Sequence, residues 1–314
     1  LRTLNPVLKG LDLLALGLGR VVKRGYSLIE IGTFDARVDK LWESIGHEYP
    51  VIVRRDLRWL RWRFDSSPDR ERYRRAYLYY AANKLMKGYI GSANIDTNSR
   101  LCMSASVAGH RRAFGTDTVP GCYEDLEEAD LVVLVGSNLA WCHPVIFQRL
   151  SAAREKRGGK PFVVNIDPRR TATSEIADMH LAIEPGADVA LFLGLLRTLS
   201  RSRALDQSFI DEHTRGFHEA LSIAAQWTPG AVARRTGLSL AEVERFFDLV
   251  ARTDRTVTVY SQGVNQSSAG VDKVNAILNC HLATARIGKP GMGPFSVTGQ
   301  PNAMGGREVG GLAN

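Results

Sequence analysis

The strongest constraint on the fold is a short apolar run, Ala129-Asp-Leu-Val-Val-Leu-Val135, that stops on Gly136-Ser137-Asn138. Such a run, bounded by small turn residues, reads as a strand covered on both faces, as in a parallel sheet. The following segments keep the alternation. Pro144 suits a first helical position, and the pattern predicts a helix over 144–155. Residues 158–166 read as a turn and a strand, 179–183 as a third strand, and 188–200 as a helix after the Pro185-Gly186 turn. Strands alternating with helices in this way predict a right-handed parallel α/β sheet.

Farther along, Ser239-Leu-Ala-Glu242 is a capping box, with Leu238 and Val243 placed to form its hydrophobic staple. Residues 256–260 read as another strand. Val271, Val274, Ile277, Leu278 and Leu282 then mark one face of a helix. After Ile287 the chain is rich in glycine and proline without periodicity. Its interleaved Met, Phe, Gln and Asn favour an ordered loop lining a site.

In a parallel sheet the C-terminal strand ends form the ligand crevice, and small residues there let the backbone approach a pyrophosphate. Gly136-Ser137-Asn138 meets that description, but is not the G-x-G-x-x-G pattern of an ordinary NAD enzyme. Asp167 can accept from ribose hydroxyls or guanine N–H groups, Pro168 fixes the turn, and Arg169 or Arg170 can pair with phosphate. Asp188 suits a helix cap. Gln262 and Gln266 flank the Gly263 turn and read either as turn residues or as amides offered to a ligand. His143, before a helix proline, reads as structural and not catalytic.

Cys102 ends a polar, turn-rich stretch and precedes a predicted helix over 103–114. A helix N-terminus favours the thiolate, a soft metal ligand; a small buried structural cysteine is the competing reading. The chain holds four cysteines, Cys102, Cys122, Cys142 and Cys280, with no Cys-x-x-Cys pair. That excludes a zinc knuckle and a disulfide framework, and fits a reducing, cytoplasmic setting. Residues 4–22 are apolar but interrupted by Lys9, Asp12 and glycines, so no membrane span or signal peptide is expected.

The net charge of +8 is uneven: residues 1–78 carry 16 Lys/Arg against 10 Asp/Glu, or +6, leaving +2 for the rest. That segment alternates arginine with aromatics, as in Arg54-Arg-Asp-Leu-Arg-Trp-Leu-Arg-Trp-Arg-Phe. It faintly resembles part of an acetyltransferase-like (GNAT) domain, without an acyl-CoA phosphate loop. A solvated face with aromatics turned to a core is favoured over nucleic-acid binding.

Several stretches in order carry a further resemblance: 83–88 with Asn98-Ser-Arg-Leu-Cys-Met, then Leu134-Val-Gly-Ser-Asn-Leu-Ala-Trp-Cys-His-Pro144, Ile166-Asp-Pro-Arg-Arg-Thr171, Pro185-Gly-Ala-Asp188, Gln262-Gly-Val-Asn-Gln266 and the 288–310 tail. From about residue 79 to 314 the chain resembles the molybdopterin oxidoreductases, and among them the prokaryotic assimilatory nitrate reductases. The resemblance implies molybdenum held by bis(molybdopterin guanine dinucleotide), with Cys102 as the protein's thiolate ligand. It implies that Asn98, Gly136, Ser137, Asn138, Trp141, Asp167, Pro168, Arg169, Arg170, Thr171, Gly186, Asp188, Gln262 and Gln266 line the cofactor. It also implies that Met103, Met304 and Arg307 line the substrate funnel, Arg307 drawing in nitrate.

The implied reaction is reduction of nitrate to nitrite by oxygen-atom transfer, with electrons from ferredoxin, flavodoxin or an NADH-dependent subunit. The expected division is an unrelated, possibly fused segment at 1–78; a Rossmann-like dinucleotide domain at 104–255; and part of a second α/β domain at 79–103 and 256–314. The [4Fe-4S] cluster expected in a full-length member has no cysteine loop here. A formate dehydrogenase of the same family is the alternative, with Met103 and the Gly-Met-Gly-Pro-Phe tail favouring nitrate. A nucleic-acid or acyl-CoA binding protein is the alternative of another class.

Overall fold

The computed structural model describes residues 84–96 and 99–299. The chain divides between Leu78 and Tyr79, and all described residues belong to the second unit. The expectations for residues 1–78, Asn98, Met304 and Arg307 therefore lie outside the described residues.

Five strands form one parallel sheet: β1 (Leu131–Val135), β2 (Phe162–Ile166), β3 (Met179–Leu181), β4 (Thr256–Tyr260) and β5 (Gly293–Ser296), in the spatial order β3-β2-β1-β4-β5. β1 and β4 are buried throughout, as expected of a central parallel strand made of apolar and β-branched residues. Their alternate side chains feed two cores. Leu131, Val133 and Val135 face one side with Val164 and Ile166; Val132 and Leu134 face the other with Val163, Val257 and Val259. Burying each such side chain contributes about 1.5–3 kcal/mol.

The first core is covered by α5 (Asp188–Leu199), α9 (Leu240–Arg252) and α11 (Gly270–Ala283). The second is covered by α2 (Tyr123–Glu128) and α4 (Pro144–Lys156), with the short α3 (Leu139–Cys142) between β1 and α4. In chain order α1 (Ser99–Phe114) precedes these, α6 (Gln207–His213), α7 (Phe217–Ala224) and α8 (Pro229–Thr236) lie between α5 and α9, and α10 (Gln262–Asn265) follows β4. The capping box at Ser239 forms, with Ser239 Oγ accepting from the Glu242 N–H at 3.2 Å.

Three expectations need correction. The division expected at 255/256 falls inside one continuous sheet, because β4 pairs with β1 residue for residue. The tail after Ile287, read as irregular, contains β5. Pro294 lacks an N–H and hid the strand, yet among the described residues β5 is an edge strand pairing with β4 alone, where proline is tolerated. On α11, Val271 and Leu282 are only half-buried, while Lys273, Cys280 and His281 join Val274, Ile277 and Leu278 inside.

Candidate functional site at the sheet switch point

Strand order reverses between β1 and β4: chain connections run from β1 outward to β2 and β3, then return to β4 and β5. The crevice outside the C-terminal ends of that central pair is where a sheet of this kind takes ligands. Gly136 ends β1 with φ +52°, and Gly263 follows β4. The Gly263 N–H donates to Gly136 O at 3.0 Å. A Cβ on Gly136 would lie 2.8 Å from Gly263 Cα, so the two loops touch backbone to backbone. That close approach leaves peptide groups, not side chains, at the switch point.

Cys102 reaches the same place from α1. It is half-buried, and Met103 after it breaks the helix (φ −137°, ψ 21°), so the thiol sits on a first turn set off from the helix body. Gln262 Nε2 donates to Cys102 Sγ at 2.6 Å, and Ser261 Oγ donates to Gln262 Oε1 at 2.5 Å. The hydroxyl orients the amide so that its N–H side faces the sulfur. Gln262 is thus held on the thiol, a use the spacing of Gln262 and Gln266 did not suggest; Gln266 itself is exposed.

Below the thiol, Ser106 and His110 follow at helical spacing on one stripe of α1. Ser106 Oγ donates to Asn265 Oδ1 at 2.8 Å and lies 2.9 Å from Ser296 Oγ, which follows from the end of β5. His110 Nε2 lies 2.5 Å from the Tyr260 hydroxyl at the end of β4. Both side chains are about 1% exposed or less, and burial pushes the Tyr260 hydroxyl far above its ordinary pKa. These residues escaped the sequence reading, because their partners lie far away in the chain.

The other strand ends carry the remaining expected residues. Asp167 is buried, and its Oδ1 accepts from the Arg169 N–H at 2.9 Å, closing the turn that carries exposed Pro168, Arg169 and Arg170. Thr171 caps the single 3-10 turn Ala172–Ile176 by accepting from the Thr173 N–H at 3.3 Å. Thr173 Oγ1 donates to Asn138 Oδ1 at 3.0 Å and accepts from the Ala140 N–H, tying the β2 loop to the β1 loop. Trp141, 76% exposed on α3, presents its ring to the outside. His180 on β3 is held neutral by its burial, reinforced by Arg170 and opposed by Asp167. Gly186 (φ +83°) stands in open space before α5. Asp188 is buried and paired with Lys273 Nζ at 2.7 Å. Met103, next to Cys102, is 4% exposed.

Ser137 Oγ, Asn165 Oδ1 and Asn265 Nδ2 are buried without a hydrogen-bond partner among the described residues. Unsatisfied groups of this kind are rare in a finished protein. All lie at or near the C-terminal strand ends, where Gly136 and Gly263 present backbone and not side chains. The residues present therefore fit a dinucleotide-type cofactor with one thiolate beside it. Among the described residues no cluster of three or more His, Cys, Asp or Glu could hold a metal ion. No helix among them is long and apolar enough to cross a membrane.

A doubly wound sheet with glycine loops and a thiol at its switch point defines an α/β protein with a ligand crevice, and comparison with known proteins says which family it belongs to. The molybdopterin oxidoreductase family model matches residues 72–313, and the chain belongs to that family. It is 56% identical over 235 residues to a nitrate reductase of Klebsiella oxytoca, covering 75% of this chain and 26% of that protein. It is 46% identical to a nitrate reductase of Synechocystis over 75% of this chain and 33% of that protein. An F420-dependent formate dehydrogenase subunit alpha of Methanocaldococcus jannaschii is 33% identical over 75% of this chain and 34% of that protein. The chain thus spans about a quarter to a third of the length of these relatives. Acetylene hydratase from Pelobacter acetylenicus shares the fold, with a TM-score of 0.57 at 24% identity over 66% of this chain and 27% of that one.

Proposed function

We propose that this chain supplies the dinucleotide-binding core and thiolate ligand of a molybdenum-dependent assimilatory nitrate reductase. The observation that carries the reading is the hydrogen bond from Gln262 to Cys102, beside the Gly136–Gly263 contact at the sheet switch point. The degree of identity to nitrate reductases, above that to the formate dehydrogenase subunit, favours nitrate as substrate.

In this reading Cys102 provides the protein's sulfur ligand, with Gln262 steadying it. Gly136, Ser137 and Asn138 let one guanine dinucleotide approach by backbone, and Trp141 covers it. Asp167 accepts from its donors, Arg169 and Arg170 pair with its phosphates, and Pro168 and Thr171 hold that turn. Gly186 admits the nucleotide to the start of α5, and Gln266 offers a second amide. Asn98 adds to the cofactor lining, and Met103, Met304 and Arg307 belong to the route by which nitrate enters. The molybdenum bis(molybdopterin guanine dinucleotide) group, when bound, supplies the oxygen-atom exchange that turns nitrate into nitrite. The protein supplies orientation and charge. Electrons come from ferredoxin, flavodoxin or an NADH-dependent subunit through an iron–sulfur domain outside this sequence, in the cytoplasm.

The test is a chimera in which residues 79–314 replace the matching segment of the Klebsiella oxytoca relative. Molybdenum, released guanine nucleotide and nitrite formation are measured on one preparation. A chimera that loads both and reduces nitrate supports the reading. Loading with formate oxidation and no nitrite would transfer it to the formate branch, and a chimera that folds without molybdenum or guanine would end it.

A further inference from the structure

The most buried ion pair among the described residues has no place in the reading so far. Lys273 Nζ lies 2.7 Å from Asp188 Oδ2, with the two side chains 5% and 9% exposed. The same ammonium lies 3.5 Å from Gly263 O, the residue whose backbone touches Gly136. One cation on the first turn of α11 therefore joins the β4 loop to the start of α5.

Asp188 is the first residue of α5, and the N-cap, Ala187, has no side-chain bond to the helix. The first peptide N–H groups of a helix have no intrahelical acceptor and favour an anion. A carboxylate at that position would ordinarily serve them itself and would repel an approaching phosphate. Here the carboxylate is turned inward onto Lys273, and open space stands at Gly186 in front of the helix.

We propose that Lys273 is a positioning residue for the nucleotide: by holding the Asp188 carboxylate inside, it leaves the start of α5 free to receive the phosphates. The inference rests on the reading of this crevice as a guanine dinucleotide site and assigns Asp188 an internal role. Removing the cation frees a negative charge at the one place where the ligand's own negative charge must settle. Removing both charges takes the repulsion away again.

GDP titrated calorimetrically into the full chain tests this, with thermal melting of every variant beside it. Lys273→Met should weaken GDP binding by about tenfold or more through like-charge repulsion. That deficit should shrink as salt is raised, because screening weakens the repulsion. The double variant Lys273→Met/Asp188→Asn should recover to within about threefold of the unaltered chain. A merely structural ion pair would give a deficit that salt does not shrink, and that result overturns the proposal, as does a double variant as weak as the single one. So does a folded Lys273→Met that binds GDP normally. If Lys273→Met does not fold, the double variant decides by itself: binding must be retained. Failure of the unaltered chain to bind GDP would overturn the crevice reading, and this inference with it.

Discussion

Gly136 and Gly263 touch through their main chains: the Gly263 N–H donates to Gly136 O at 3.0 Å, and a Cβ on Gly263 would stand 2.6 Å from Gly136 Cα. No flexible side chain lies between them to give way. Gly136→Ala also places a side chain at φ +52°, a left-handed conformation that glycine adopts freely. Each single alanine should cost about 2–3 kcal/mol in urea unfolding. The double variant should cost less than the sum, because one forced separation accommodates both methyls. Additive losses would mean that the loops relax independently.

Cys102→Ser, made in the Klebsiella chimera, should leave the melting temperature nearly unchanged, since the two side chains are close in volume and the site is a boundary. Guanine nucleotide should stay, because its loops lie at 135–142, 167–171 and 186–188. Nitrite formation should fall at least about a hundredfold, as a protonated hydroxyl is a poor substitute for thiolate. Turnover close to normal would reduce Cys102 to a structural thiol.

Ser106→Ala removes a hydroxyl that donates to Asn265 Oδ1 at 2.8 Å and also contacts Ser296 Oγ. Asn265 Nδ2 is already without a partner among the described residues, so the variant strips the carboxamide of its oxygen's partner as well. The expected loss is about 1–3 kcal/mol, the cost of stranding buried polar groups. Chemical denaturation of the purified chain gives the number directly, and a change under about 0.5 kcal/mol would place water, not Ser106, as the main partner.

His281 gives a pH dependence of known sign. Burial, reinforced by Arg286, lowers its pKa to about 3, and the neutral ring lies 2.8 Å from Thr258 Oγ1 and 3.1 Å from Arg286 O. Unfolded, the imidazole takes its proton near pH 6.5. Between those values the unfolded chain binds a proton that the fold refuses. This contribution to stability is complete above about pH 6.5 and falls by about 1.4 kcal/mol per unit below it. Thermal melts from pH 7.5 to 4.5 should show the decline, and His281→Asn should flatten it. An unchanged slope would assign the acid sensitivity to other groups.

The sheet was legible because β1 and β4 are unbroken β-branched or apolar runs, and β2 is one but for Asn165, all ending in small or turn residues. β5 was not, since Gly-Pro-Phe-Ser carries no strand signature and owes its conformation to pairing with β4. The loops of the site were legible for the same reason as the strands, as each follows one. Ser106, His110 and Lys273 were not, because a polar or charged residue in a helix ordinarily reads as solvent-facing. Their burial depends on partners at residues 260, 265, 296 and 188, and separations of that size leave no local trace. Gln262 was seen as a donor, but its target lay 160 positions away in the chain.

The break at Met103 divides α1 into a length fastened to the sheet and a short first turn that carries the thiol. Ser106 and His110 fasten the length to the sheet, while Cys102 stands on the other side of torsions that are already outside helical values. Turning the thiol therefore requires no slippage of the helix along the sheet. A bulky group can be seated against the sulfur after the domain has closed, with the adjustment confined to a single joint.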